Sequence, residues 1–113
     1  MQRFIVLYKT PAAVMQGWMS KSPEERKDAE EKMMAEWDAW LAAHKDNVIE
    51  TAGAGKTKRV SENGVEDVAN DVMLYSIIEA ASADEAVALF AGHPHLGIPE
   101  STIEIMPSNI IPS

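Results

Sequence analysis

Two histidines flank a proline in GHPHL, residues 92–96, and they are the side chains whose type best suits chemistry. An imidazole titrates near neutrality, so His93 or His95 facing a cavity would serve as acid, base or hydrogen-bond donor. A metal site would need at least a third ligand, and the spacing names none, so no metal is expected. Two carboxylates are placed to orient such a base: Asp38, between the tryptophans of WDAW, and Glu79, in the apolar run VMLYSIIEA. Alternation along that run puts Tyr75 and Glu79 on one face, with the phenol as a donor. Each residue also has a purely structural reading. His-Pro-His-Leu closes a helix, Pro94 forcing His93 out of helical conformation and Leu96 sealing the core. Asp38 is rotated by about 100° from Trp37 on a helix and lies on a solvated flank. Glu79, costly if buried alone, finds Arg3 or Lys9.

The chain has no Cys, which removes disulfides, thiol catalysis and thiolate metal sites. GAGKT resembles a fragment of a phosphate loop but lacks its full spacing and the following helix, so no nucleotide cofactor is expected. Proton transfer or elimination then suits the available groups better than redox chemistry. In that reading His95 is the acid or base, Asp38 or Glu79 the orienting carboxylate and Tyr75 the donor. His93 lies close by, and Trp18, Trp37 and Trp40 offer flat walls for a cyclic or aromatic ligand. The rival reading is a non-catalytic dimeric interaction module whose cleft is filled by its own Trp and Met side chains. An open cavity in which His95 and a carboxylate converge would count against that rival.

Ten Lys and Arg stand against 18 Asp and Glu, a formal net charge of −8. Such a surface cannot broadly neutralise phosphates, which argues against nucleic acid and anionic membrane as partners. No window approaches the roughly 20 apolar residues of a membrane helix. The apolar start, RFIVLYK, is too short for a secretory signal, and a cytoplasmic protein is expected.

The elements that would hold these residues are marked by periodicity and caps. Residues 3–9 are apolar in both registers, a strand buried on two faces. Thr10-Pro11 caps a short helix to about residue 19. Ser22-Pro23-Glu24-Glu25 opens a longer helix to about residue 44, with Ala29, Met33, Trp37, Trp40, Leu41 and His44 as its buried stripe. Residues 48–55 lead into a strand at 56–61, Asn63-Gly64 is a tight turn, and the acidic residues 65–71 are expected to be irregular. Residues 72–81 form the strongest strand. Ser82 and Glu85 box the start of a short helix that Gly92 ends, and residues 102–106 make the last strand.

The order β–α–β–(β)–α–β is that of a ferredoxin-like α+β domain, one domain over residues 1–113 with an antiparallel sheet. Two helices cover one sheet face only, yet residues 4–8 and 72–78 are apolar on both. A bare apolar face of that size usually marks an interface, so a homodimer stacked sheet to sheet is expected.

Taken together, RFIVLYKTP, EWDAWLAAHKDNVIETAGAGKT, LYSIIEAASADEAVALFAGHPHL and STIEIMP resemble the YCII-related, or DGPF-motif, family of dimeric α/β-barrel proteins. The Trp37/Trp40 pair and the run from Tyr75 to Leu96 carry most of the likeness. The resemblance implies a dimeric barrel and leaves the reaction open, since most members have no assigned activity. Two departures stand out. GVEDVAND replaces the family's glycine-bearing segment, keeping Asp67 but putting Val68 where a glycine would sit. The histidine of a histidine–aspartate pair suggested for some members is absent from positions 36–38, although Asp38 remains.

Overall fold

A computed structural model describes residues 1–112. The first strand, β1, runs Gln2–Lys9; two helices follow, α1 at Ala12–Met19 and α2 at Pro23–Ala43. Then come β2 (Val48–Gly53), β3 (Thr57–Ser61), β4 (Gly64–Val68), β5 (Val72–Ala80), α3 (Ala83–Leu89), a 3-10 turn at Pro94–Gly97, and β6 (Thr102–Pro107). The main sheet has the order β2-β5-β1-β6 with every neighbouring pair antiparallel. With the β3–β4 hairpin set aside as an insertion, that is the ferredoxin-like arrangement, two crossovers placing their helices on one sheet face.

Caps set the helix starts. Ser22 Oγ accepts from the Glu25 amide at 3.2 Å with Pro23 in the first turn, and Ser82 Oγ accepts from Glu85 in the same way. Each satisfies an amide that the helix itself leaves free. Thr10 does not cap α1: its hydroxyl is buried against Ser101 Oγ at 2.7 Å, and α1 starts from Pro11 without a side-chain cap.

The core lies on the helix side of the sheet. Phe4, Val6, Tyr8, Ile78 and Ala80 are buried against Trp40, Ala86 and Phe90, with Ile103 and Ile105 of β6 packed beside them. Inside it, Ser76 links Tyr8 (2.8 Å) and Thr51 (2.7 Å) through hydroxyl hydrogen bonds, so three strands share one buried polar chain. Burial raises the Tyr8 phenol to about 12, the Ser76 hydrogen bond opposing it, and the group stays neutral. The opposite face is different. Ile5 pairs across the sheet with Ile77 and Met106, and all three, with Leu7 and Met73, are only half-buried. The chain measures 46 × 44 × 19 Å. Its thin dimension is that of one helix layer on one sheet, a helix being about 10 Å across with its side chains.

Three further expectations are corrected. Of residues 65–71, expected to be irregular, 65–68 belong to strand β4: Arg59 pairs with Glu66 and Lys58 with Asp67 across the hairpin, both as ion pairs. Cross-strand opposite charges stabilise a sheet much as apolar pairs do, and a hydropathy pattern does not register them. The turn residues are Glu62 and Asn63, with Gly64 just after them at φ 122°, a conformation that favours glycine. Residues 48–53, read as a lead-in, form a full edge strand against β5. Finally, Leu96 does not seal the core. It is 47% exposed, and His93, Pro94 and His95 are buried in its place.

Candidate functional site

The stripe expected along α2 is buried only at its C-terminal end. Trp40 is in the core, its indole N–H donating to the Leu89 carbonyl at 3.0 Å, and His44 stacks on it at 4.5 Å. Leu41, Trp37 and Met33 are half-buried and Ala29 is exposed. The reason is that α1 stands off from the N-terminal half of α2. Between them, over the sheet at Leu74 and beside the loop at Gly97–Pro99, lies a cleft of about 670 Å³. That volume is in the ordinary range for small-molecule sites. Val14, Met15, Trp18, Met33, Met34 and Trp37 make most of its wall, and Lys21 and Glu30 are its charged residues.

Behind Trp37 lie the histidines. His93 is 2% exposed and His95 1%. Pro94 holds His93 at φ −59°, ψ 140°, an extended conformation that turns the chain into the 3-10 segment. His93 Nδ1 accepts from the His95 amide at 3.0 Å, so in the neutral ring the proton sits on Nε2. That Nε2 is buried without a hydrogen-bond partner among the described residues. Aromatic rings surround it: Trp37 at 4.4 Å and Trp40 at 4.6 Å, both T-shaped, and Tyr8 at 5.4 Å. Charging this imidazole would cost its hydration and its accepted hydrogen bond. Burial, then the neighbouring His95 and His44, lowers its pKa from 6.5 to about 4. His95 Nε2 lies 3.0 Å from the Lys9 carbonyl oxygen, donating to it, and burial lowers its pKa as well, against the pull of backbone hydrogen bonds to Lys9 and Thr102.

The residues singled out in the sequence therefore separate into three groups. Trp37, Trp40 and His93 come together, with His95 adjacent through Tyr8, whose ring is 5.6 Å away. Tyr75 and Glu79 lie on the opposite, half-open sheet face. There the Tyr75 hydroxyl donates to Glu50 at 2.8 Å and Glu79 pairs with Arg3 at 3.4 Å. Asp38 is exposed on α2. Neither histidine has a carboxylate hydrogen-bonded to it among the described residues. The cleft is open rather than filled by its own side chains, but His95 and a carboxylate do not converge in it. Of the three tryptophans, Trp18 and Trp37 line it and Trp40 does not. Sequence reasoning missed Lys21 and Met15; the one available signal was their closeness to Trp18, since the gap between α1 and α2 has no sequence pattern.

Strand order and layers thus define a small antiparallel α+β chain of ferredoxin-like topology with an apolar cleft between helices and sheet. No family model matches this chain, and no curated protein does. Among solved structures, the chain is similar to 5-chloro-2-hydroxyhydroquinone dehydrochlorinase from Burkholderia phenoliruptrix in complex with 2,5-dihydroxybenzoquinone. The TM-score is 0.46 at 15% sequence identity, covering 92% of this chain and 91% of that one. A likeness at that level says nothing about the chemistry of this site. No helix among the described residues is long and apolar enough to cross a membrane.

Proposed function

We propose that this chain binds a small cyclic or aromatic organic molecule in the α1–α2–sheet cleft, as one half of a homodimer. The observation that carries the reading is the open, largely apolar cleft with the Trp18 and Trp37 indoles in its wall. Flat rings suit such walls, since aromatic pairs add about 0.5–1.5 kcal/mol beyond area burial. The half-exposed Ile5, Leu7, Ile77 and Met106 support the dimer, because a second copy stacked on them would complete the missing layer. Acid–base chemistry of the lyase or isomerase kind attaches to this site through His93. Its Nε2 lacks a partner among the described residues, and its ring touches the Trp37 indole that faces the cleft. Turnover then requires the Trp37 ring to move aside, whereas binding requires no movement. Binding is accordingly the primary role.

Ala29 lines the cleft and is exposed, so a larger side chain there fills the cleft without entering the core. Ala29→Trp is expected to weaken binding of a neutral ring compound, naphthylmethanol, at least tenfold while changing stability by no more than about 0.5 kcal/mol. Calorimetric titration and thermal melting of both proteins test this. Saturable binding that survives Ala29→Trp would place the ligand elsewhere, and a wild-type protein that binds no ring compound would refute the reading.

A further inference from the structure

We infer that the cleft selects ring compounds bearing a single carboxylate, with the carboxylate set against Lys21. This rests on the ligand-binding reading above and adds the chemical class of the ligand. The cleft holds two charged residues, and they are not equivalent. Glu30 is already neutralised: Arg26 Nη1 reaches its carboxylate at 3.2 Å, one helical turn away on α2. The same guanidinium is tied down further by the Lys21 carbonyl at 3.3 Å. Lys21 makes no ion pair among the described residues; its ammonium stands 5.3 Å from the centre of the Trp18 ring. That cation–π contact holds the charge beside the indole that lines the cleft rather than leaving it to swing free.

The consequence is an unpaired positive charge at an apolar wall, in a chain whose net charge is −8. A cationic ligand finds no free carboxylate there. A phosphate ester would bring a dianion with three acceptor oxygens to a single ammonium, and the remaining lining offers little to satisfy it. A monoanion matches the charge one for one. Its apolar body meets Trp18 and Trp37, and the flexible thioethers of Met15, Met33 and Met34 adapt to the outline of the ring. A carboxylate on a flat ring is the ligand that uses every part of this surface.

Titrating wild type and Lys21→Gln with naphthoate and with its neutral counterpart naphthylmethanol tests the inference, since Lys21 is exposed and its replacement leaves the core intact. Wild type is expected to bind naphthoate about fivefold more tightly than naphthylmethanol, the size of a solvent-accessible ion pair. The preference should shrink as salt is raised. Lys21→Gln should remove it by weakening naphthoate alone. Equal affinities in wild type, or a preference that persists in Lys21→Gln, would overturn the anionic class while leaving ring binding standing. Failure of wild type to bind either compound would remove the cleft-binding reading, and this inference with it.

Discussion

Ile77→Lys is expected to convert a dimer into a folded monomer. Ile77 sits on β5 directly opposite Ile5 of β1, in the middle of the half-open sheet face, with Glu50 beside it on β2. In a two-fold stack the same patch meets itself, so one substitution buries two like charges at the centre of the interface. Breaking complementarity there in that way costs on the order of 3 kcal/mol or more, a rise in dissociation constant of about 100-fold. The single chain is affected far less, because Ile77 is only half-buried within it and a lysine there can reach Glu50. The rim is already balanced in charge by Arg3 with Glu79 and Lys9 with Glu104. Sedimentation velocity at micromolar concentration should show wild type as a dimer and Ile77→Lys as a monomer with unchanged circular dichroism. A folded wild-type monomer under those conditions would contradict the stacked arrangement.

The second large effect is on pH dependence. His93 has a native pKa of about 4 against 6.5 unfolded, so the unfolded chain takes up the proton first as pH falls. Where the unfolded state binds more protons, stability rises with pH. The contribution from keeping His93 neutral is complete above pH 6.5, declines between 6.5 and about 4, and is gone below that. A shift of this size corresponds to about 3 kcal/mol, and the lowered pKa of His95 adds in the same direction. Carboxylates titrate in part of the same window, so the informative quantity is a difference between proteins. His93→Gln keeps an oxygen able to accept from the His95 amide and has nothing to protonate. Urea unfolding at pH 7, 5.5 and 4.5 should show wild type losing about 2 kcal/mol more stability between pH 7 and 4.5 than His93→Gln does, most of the full shift. Parallel slopes would mean that His93 is protonated in the native state or reached by water.

How far the fold could be read depended on which physical signal each element uses. Caps and alternation are local, and so Ser22, Ser82 and the apolar run of β5 mark their elements within a residue or two. The exposed sheet face was legible too, from the double apolar register of residues 4–8 and 72–78. The first strand of the hairpin and its turn were legible, but the returning strand was not, because β4 is held by ion pairs to β3 rather than by an apolar face. Around the histidines it is the role of Leu96 that the residue types misassign. Leucine is the more usual core residue, so Leu96 reads as the one that seals the core, whereas Pro94 turns both rings inward, where the His93 ring accepts from the His95 backbone amide and the His95 ring donates to the Lys9 carbonyl. Tyr75 and Glu79 were read correctly as sharing a face, but the helices stand on the other one, beyond the reach of any strand-level argument. The cleft depends on how far α1 stands from α2, a packing distance that no spacing of residues encodes. Only its tryptophans announced it.

The seven methionines offer the most direct measurement of the central claim, which is that the ligand sits between α1, α2 and the sheet. Met15, Met33 and Met34 line the cleft, while Met73 and Met106 lie on the half-open sheet face. With methionine methyls labelled with carbon-13, titration with naphthoate is followed by nuclear magnetic resonance. Saturable shifts at Met15, Met33 and Met34, with Met73 and Met106 unmoved, are the expected result. Shifts confined to Met73 and Met106, or no saturable shift at any cleft methionine, would contradict it.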